Sequence, residues 1–345
     1  MNRTVLSLAL IFQIATQQYA YSQITTDKRQ QFVSLGDFPL ENGQHIVDCK
    51  IGYRTFGKLN STRSNAIIYP TAGGGTTYMM ELFFGVGTDI DTTKFYLILI
   101  DALGNGVSSS PSNSISQAKT LFPQFSISDM VNTQYKMLTE HLNIHHLAAI
   151  VGGSMGGLQA LQWAVSYPDF MDKVVSIEAT PKPSTSDLIW MYTYIEAVKS
   201  DTAYHGGNYT ANPASPIAAH LTQLIITTPA NLNSTVPADS FSIWLSSIDK
   251  NPVNIDCNNF LSQVKAVMMH DISTKAGGSL ENTAKMIKAK MLIIANKQDH
   301  LFNQSLSIKF AGMANAELVV MDNDLGHLIF NEKIPVEATR KFLSQ

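Results

Sequence analysis

A single serine lies among four glycines in the stretch Ile150-Val-Gly-Gly-Ser-Met-Gly-Gly-Leu-Gln-Ala160. The apolar run Leu147–Val151 leads into this serine, and a helical pattern from Leu158 to Val165 follows it. A G-x-S-x-G sequence between a strand and a helix is typical of a sharp turn that holds the serine hydroxyl clear of a sheet. Glycines are needed there because a Cβ would strike the strand or the helix. The stretch therefore predicts Ser154 as a nucleophile, and the alternative is a tight turn with an idle serine.

Short apolar runs of the kind buried in a parallel sheet recur along the chain. They are Ala66–Tyr69, Phe95–Ile100, Leu147–Val151, Val174–Ile177, Met291–Ala295 and Glu317–Met321. Helical patterns separate several of them, and one begins at Ser126-Ile-Ser-Asp129, which resembles a capping box. The mixed apolar and polar stretch 44–56 predicts outer antiparallel strands. Strands that alternate with helices predict a mostly parallel, doubly wound α/β sheet.

The alternation of strands and helices stops between about Pro181 and Lys285. Helical stretches follow one another there, with joints rich in Pro and Asn and without a strand-like run. The pattern predicts a helical insert, residues 181–285, after the sixth core strand. We expect this insert to lie over the carboxyl ends of the strands as a lid, with a core made of residues 23–180 and 286–345.

The first 22 residues have the order of a secretory signal peptide. A short basic segment precedes the apolar run Val5–Ala15, which is too short to span a bilayer, and Ala20-Tyr-Ser22 offers a small-residue cleavage site. We predict cleavage near Ser22 and an exported chain, periplasmic or secreted, that begins near Gln23 and is not inserted in a membrane. An N-terminal membrane anchor and a core strand are the alternatives.

Composition favours a small-molecule partner. The formal net charge is -3, without a basic block or an acidic tail, so nothing indicates nucleic acid or an anionic membrane as a partner. The two cysteines, Cys49 and Cys257, are far apart in sequence and have no metal-ligand spacing. They could form a disulfide in an exported protein or remain two buried thiols. The sequence predicts no metal and no cofactor.

A nucleophilic serine needs a general base, and that base needs a carboxylate to orient it. Asp299 comes just after the apolar run Met291–Ala295, and His327 comes just after Glu317–Met321. The chain order Ser154, Asp299, His327 is the order found in the α/β-hydrolase fold. The sequence therefore predicts that fold, with these three residues as a catalytic triad.

Other acids and histidines are weaker candidates. The carboxyl groups closest to His327 in sequence belong to a loop before it and are interpreted as solvated. Three histidines near the helix before Ser154 are interpreted as surface or helix-terminal residues, and the histidine beside Asp299 is interpreted as pointing away from the site. These residues are Asp322, Asp324, His141, His145, His146 and His300.

An oxyanion intermediate needs two N–H donors. One is predicted to be the N–H of Met155, directly after the nucleophile, at the start of a helix. The other is expected from the loop Pro70-Thr-Ala-Gly-Gly-Gly-Thr76, whose glycines allow the backbone to approach a substrate closely. A plain glycine-rich turn is the alternative for this loop.

Several motifs together resemble those of the homoserine O-acetyltransferase family of α/β-hydrolase enzymes, from about Gly52 to the end of the chain. They are Gly57-Lys-Leu-Asn60, Asp89-Ile-Asp-Thr-Thr-Lys-Phe95, Phe122-Pro-Gln-Phe-Ser-Ile-Ser-Asp-Met-Val131 with Gln134, Val151-Gly-Gly-Ser-Met-Gly-Gly157 and Tyr167-Pro-Asp169. The resemblance implies the triad Ser154, Asp299 and His327, an oxyanion N–H at Ala72 beside that of Met155, and a homodimer formed through the lid helices.

Three features depart from the acetyltransferases of that family. Those enzymes carry an aspartate directly after the catalytic histidine, where this chain has Leu328. They also carry arginine in the lid to pair the substrate carboxylate, whereas this chain has no arginine between Arg63 and Arg340. The segment Asp101-Ala-Leu-Gly-Asn-Gly-Val-Ser-Ser-Ser-Pro111 looks more like that of the family's hydrolase branch.

These departures favour water as the acyl acceptor. The sequence thus predicts an exported serine esterase that cleaves a small or medium acyl ester through an acyl-enzyme, with an ester as its small-molecule partner. The alternative is an O-acyltransferase that passes the acyl group to an alcohol or an amino acid. A third hypothesis is a scaffold used only for binding, but it does not explain the presence of a complete triad.

Overall fold

The structure is a computed structural model and describes residues 29–83, 89–250 and 255–345. The predicted signal peptide and the predicted mature start near Gln23 lie outside the described residues. Eight strands form one sheet. They are β1 (Gln31–Pro39), β2 (His45–Phe56), β3 (Ala66–Pro70), β4 (Tyr96–Ile100), β5 (Leu147–Gly153), β6 (Met171–Ile177), β7 (Lys290–Asn296) and β8 (Glu317–Met321).

The strand order is β1-β2-β4-β3-β5-β6-β7-β8. β1 pairs antiparallel with β2, and β2 pairs antiparallel with β4, whereas all pairs from β3 to β8 are parallel. This mostly parallel sheet confirms the predicted α/β-hydrolase fold. β1 was not predicted, because its register shifts on both sides of Gly36 break the alternation that would reveal a strand.

Alternate residues of the central strands enter two hydrophobic clusters, as expected for a sheet covered on both faces. In β3, Ala66 and Ile68 belong to the larger cluster, and Ile67 and Tyr69 belong to the smaller one. The run Glu317–Met321 differs. It was expected to be buried on both faces, which is wrong, because β8 is the edge strand and most of its side chains are partly or fully exposed.

Helices flank the sheet. They are α1 (Thr77–Phe83), α2 (Ile127–Lys136), α3 (Met155–Ser166), α4 (Thr185–Ser200), α5 (Pro216–Ile225), α6 (Pro229–Thr235), α7 (Phe241–Lys250), α8 (Cys257–Met268), α9 (Leu280–Met286), α10 (Ser305–Met313) and α11 (Lys333–Ser344). A π-helical turn (Met137–His141) extends α2, and short 3₁₀ turns occupy Lys119–Leu121, Thr202–Gly207, Ala238–Ser240 and Thr274–Ala276. The capping box predicted at Ser126 is confirmed, because its hydroxyl and the Asp129 carboxylate each accept the other residue's backbone N–H.

The described part of the helical insert contains α4 to α8 and most of α9, and it includes no strand. Its side chains and backbone hydrogen-bond to the loops after four parallel strands. Gln263 Nε2 donates to the Leu103 carbonyl over 3.0 Å, and the Trp190 indole N–H donates to the Leu301 carbonyl over 2.7 Å. The insert therefore contacts loops at the carboxyl ends of the strands. Its action as a lid, and the domain boundaries at residues 180 and 285, stay predictions.

The two cysteines are unpaired. Cys49 lies in β2 and Cys257 begins α8, and both side chains are buried. Burial raises the pKa of the Cys49 thiol to about 12 and that of Cys257 to about 11, so both stay protonated at neutral pH. In the part of the chain that the structure describes, no helix combines the length and the apolar character needed to cross a bilayer.

Candidate active site

Ser154 lies at the turn between β5 and α3, in a strained backbone conformation with φ 53° and ψ -128°. Its N–H donates to the Ile177 carbonyl over 2.9 Å, which ties the turn to the neighbouring strand β6. Glycine is required on both sides: a Cβ on Gly152 would come within 2.2 Å of the Gly156 carbonyl oxygen, and one on Gly156 within 2.5 Å of the Pro70 carbonyl oxygen. The turn leaves Ser154 partly exposed above the sheet.

The structure brings together the three side chains that the sequence proposed as a triad. His327 Nε2 is 2.9 Å from Ser154 Oγ, and His327 Nδ1 is 2.8 Å from Asp299 Oδ2. The Asp299 side chain is fully buried and that of His327 is nearly so. This continuous chain of hydrogen bonds has the geometry needed to take a proton from Ser154 and to hold the resulting imidazolium.

Asp299 accepts hydrogen bonds at both of its oxygens. Oδ1 accepts the N–H groups of Leu301 and Phe302 over 2.8 and 3.1 Å, and Oδ2 accepts Gln304 Nε2 over 3.1 Å in addition to the imidazole. Burial alone would raise the pKa of Asp299, but the charge and the hydrogen bond of His327, together with the Phe302 N–H, outweigh it, so the pKa is lowered. The carboxylate is therefore ionised and fixed in orientation.

Asn296, which the sequence reading missed, joins the loop of the acid to the loop of the histidine. It is the last residue of β7 and is fully buried. Its Nδ2 donates to the carbonyls of Asn323 and Gly326 over 3.0 and 2.8 Å, and its Oδ1 accepts the Asn323 N–H over 3.1 Å. The one signal in the sequence is an amide side chain directly after the apolar run Met291–Ala295.

Glu178 is a second functional candidate that the sequence reading missed. It directly follows β6, has φ 48°, and is fully buried. One of its carboxylate oxygens, one oxygen of Asp299 and one ring nitrogen of His327 lie within 4.8 Å of one another. Among the described residues this is the one group of three side chains spaced to ligate a metal ion. Both nitrogens of His327 are already hydrogen-bonded, an arrangement suited to proton transfer.

The weaker candidates are exposed or have partners outside the proposed triad. Asp322 is exposed and pairs with Lys297, and Asp324 is also exposed. His300 is exposed beside Asp299. The remaining rivals are near the other end of β5, where His145 bonds Asn143, His146 bonds Asp172, and His141 ends the π-helical turn.

The loop after β3 runs along the first turn of α3. A Cβ on Gly73 would be 4.0 Å from the Cβ of Met155, so the loop beside Ala72 lies close to the start of α3. Gln159 Nε2 donates to the Thr71 carbonyl over 3.1 Å and holds this loop from α3. The first N–H groups of a helix have no intrahelical partner and are available to an anion. The arrangement suits the two donors predicted at Ala72 and Met155.

Apolar side chains pack against the loop after β3 and against the His327 ring. From the insert, Phe260 and Ile255 pack on Gly74, where an added Cβ would meet them at 3.4 and 2.5 Å. From the core, the rings of Phe302 and Phe330 pack edge-on against the His327 imidazole at centroid distances of 5.7 and 5.3 Å. Such apolar side chains suit contact with an uncharged molecule.

Comparison with known families agrees with this geometry. The family described as alpha/beta hydrolase fold matches residues 65–334, which is more than three quarters of the chain. This chain belongs to the alpha/beta hydrolase family. Enzymes with this fold carry a catalytic serine, histidine and acid at the carboxyl edge of the sheet.

Relatives of this alpha/beta hydrolase are of two kinds. It is 32% identical to the ethyl acetate hydrolase of Pseudomonas veronii, over 79% of this chain and 81% of the relative. The solved structure of an acetylester hydrolase from Corynebacterium glutamicum is 27% identical, with a TM-score of 0.85, over 92% of this chain and 96% of the other. The homoserine O-acetyltransferase of Methanococcoides burtonii is 29% identical, over 85% of this chain and 66% of the relative. The predicted family resemblance is thereby confirmed, and this alpha/beta hydrolase is an enzyme, an esterase or an acyltransferase.

The arginines that the structure describes in this alpha/beta hydrolase are engaged or distant from Ser154 in the fold. Arg54 is fully buried and contacts Gln30, Thr77 and Glu81. Arg63 donates to the carbonyls of Leu142 and Asn143. The side chain directly after His327 is the partly buried Leu328. An apolar side chain thus directly follows the histidine of the proposed triad.

Proposed function

We propose that this enzyme is an exported serine esterase that hydrolyses small, uncharged acyl esters. The observation that carries the proposal is the hydrogen-bonded chain Ser154–His327–Asp299, with distances of 2.9 and 2.8 Å, at a strained strand-to-helix turn. Relatives named as an ethyl acetate hydrolase and an acetylester hydrolase support a short acyl group.

The reaction proceeds in two halves. Ser154 Oγ attacks the ester carbonyl carbon while His327 Nε2 takes its proton, and the N–H groups of Met155 and Ala72 stabilise the oxyanion. His327 then gives the proton to the departing alcohol, which leaves an acyl-Ser154. Water attacks this acyl-enzyme, His327 takes a proton from the water and returns it to Ser154, and the carboxylic acid leaves. Asp299 stabilises the imidazolium in both halves.

Water is the proposed acceptor because the side chains described next to His327 and on Gly74 are apolar and do not pair with the charges of an amino acid. An ammonium and a carboxylate in a water-poor pocket each need an opposite charge, and leaving either unpaired costs several kcal/mol. Leu328 and the apolar residues Phe260 and Ile255 supply none. The second candidate, O-acyl transfer to an alcohol or an amino acid, is favoured by the homoserine O-acetyltransferase relatives and would use the same acyl-enzyme.

Hydrolysis with and without an acceptor tests the proposal. The mature chain, from Gln23, is assayed on a series of p-nitrophenyl esters of increasing acyl length and on acetyl-CoA with millimolar homoserine. We expect hydrolysis of short esters without any acceptor, labelling of Ser154 by a fluorophosphonate, and loss of both in Ser154→Ala. Near wild-type hydrolysis by Ser154→Ala would contradict the nucleophile, and saturable formation of O-acetylhomoserine would replace the esterase by the transferase.

Export and dimerisation are also proposals. The basic, apolar and small-residue order of residues 1–22 supports cleavage near Ser22 and export, which an expression host would reveal as a shortened chain in its periplasm or medium. Exposed apolar side chains on the insert support a homodimer through its helices. They are Leu188, Ile189 and Tyr192 of α4, Ile217 and Leu224 of α5, and Phe241 and Ile243 of α7. Light scattering at several concentrations measures the mass in solution.

A further inference from the structure

Glu178 has an environment that favours its neutral form. The side chain is fully buried, and Oε1 accepts the backbone N–H of Asn296. Oε2 is buried without a hydrogen bond of standard geometry, although an Asp299 oxygen lies within 4.8 Å of the carboxyl group. Two carboxyl groups this close in a buried site do not both ionise. They share one negative charge.

The hydrogen bonds decide which of the two carboxyl groups holds the charge. Asp299 accepts four donors, among them the imidazole, whereas Glu178 accepts one backbone N–H. Burial, and then the neighbouring Asp299 carboxylate, raise the pKa of Glu178 well above its ordinary value. The other titratable group near Glu178 is His327, and Asp187 of α4 is near enough to Asp299 for the two carboxylates to repel.

We propose that Glu178 is a positioning residue for the triad, a neutral acid whose Oε2–H is directed at Asp299 and holds that carboxylate toward His327. This proposal rests on the proposed function, because it assumes that Asp299 orients the general base. The backbone supports the placement. The Glu178 N–H donates to the Ile294 carbonyl over 2.9 Å, and its carboxyl group accepts the Asn296 N–H, so both backbone and side chain are attached to β7.

A pair of variants separates positioning from packing. Glu178→Gln keeps the length, an acceptor for the Asn296 N–H and an N–H donor for Asp299, whereas Glu178→Met has similar volume without either. We expect Glu178→Gln to stay within about threefold of the wild-type kcat, and Glu178→Met to lose about tenfold in kcat with little change in KM, the effect of one hydrogen bond to a charged acceptor. In Glu178→Met, the acid limb of the pH profile of kcat/KM should move to higher pH by about half a unit. The reason is that the Asp299 carboxylate, without the donor from residue 178, stabilises the His327 imidazolium more strongly.

Infrared difference spectra give a readout that needs no turnover. The wild type minus Glu178→Gln should show the C=O stretch of a neutral carboxylic acid at pH 7, and the same band should appear when both are compared in the Ser154→Ala background. Absence of this band, an equal loss of kcat in folded Glu178→Gln and Glu178→Met, or unchanged kcat and pH profile in both would each overturn the positioning role. If Glu178→Met does not fold, the band and the activity of Glu178→Gln decide. An active Ser154→Ala would instead overturn the proposed function and leave the band unaffected.

Discussion

The substitution Gly156→Ala tests how closely the two proposed oxyanion donors are held. The added Cβ would lie 2.5 Å from the Pro70 carbonyl oxygen, whereas Cβ contacts below 3.0 Å essentially do not occur. The loop after β3 and the first turn of α3 must therefore separate by about half an ångström. Pro70 leads into Ala72, and Gly156 follows Met155, so the contact that opens is the one between the donors. No flexible side chain is present to absorb the shift.

The expected cost follows from the geometry of the oxyanion. Productive donors are about 2.7–3.1 Å from the developing charge, so a displacement of about half an ångström removes most of one donor's contribution, on the order of 10² in kcat. KM should change little, because the ester carbonyl in the ground state gains little from these donors. Overpacking should also lower the free energy of unfolding by about 1–3 kcal/mol.

Steady-state kinetics on a p-nitrophenyl ester, at a temperature where urea titration shows the variant folded, measure the effect. Gly312→Ala is the matched control: Gly312 lies inside α10 with no atom within 4 Å of an added Cβ. It should leave kcat unchanged and stabilise the helix by about 0.5–1 kcal/mol. A folded Gly156→Ala with kcat within about threefold of wild type would refute the oxyanion assignment at Ala72 and Met155.

Four further outcomes are expected. Asp299→Asn should lower kcat by a factor of about 10⁴, because an amide favours the wrong imidazole tautomer, whereas Asp324→Asn should keep wild-type kcat. The reverse result would identify Asp324, in the loop before the histidine, as the acid of the triad. Asn296→Ala should lower the free energy of unfolding in urea by about 2–3 kcal/mol, since the side-chain hydrogen bonds to Asn323 and Gly326 are lost, and should lower kcat as well. Burial lowers the pKa of His270 to about 4, so between pH 6.5 and about 4 the unfolded chain binds this proton and the folded chain does not. The free energy of unfolding should therefore decrease by up to about 3 kcal/mol as the pH is lowered through this range, and His270→Gln should remove that part of the pH dependence. Leu328→Asp should still form no O-acetylhomoserine by mass spectrometry, because arginine remains absent from the insert.

Much of the fold could be predicted because its signals are local. The glycines around Ser154 and the apolar runs of the central strands indicate a strand-turn-helix unit and a parallel sheet without any knowledge of partners. Asp299 and His327 could be proposed because both follow such runs. β8 has the same composition as a central strand, and only the pairing of the strands makes it an edge.

Glu178 and Asn296 could not be predicted in the same way. Each is a single polar residue at the end of an apolar strand, a position that is often solvated. Their burial depends on the register between β6 and β7, in which Ile177 pairs with Ile294 and brings Glu178 beside the Asn296 N–H. A property that arises from the register of two strands more than a hundred residues apart leaves no pattern in either segment alone.

The loop that carries His327 is attached to two parts of the molecule. Asn296 holds it from the sheet, whereas the His327 N–H donates to the Ile226 carbonyl over 3.1 Å and the Thr228 hydroxyl donates to the Asp324 carbonyl over 2.8 Å. Residues 226–228 join two short helices, α5 and α6, of which the second buries no side chain. Segments with so little buried surface detach at lower denaturant or temperature than a central sheet. We therefore expect urea to inactivate the enzyme before most of its circular dichroism changes, and activity to return on dilution once residues 226–228 contact the histidine loop again.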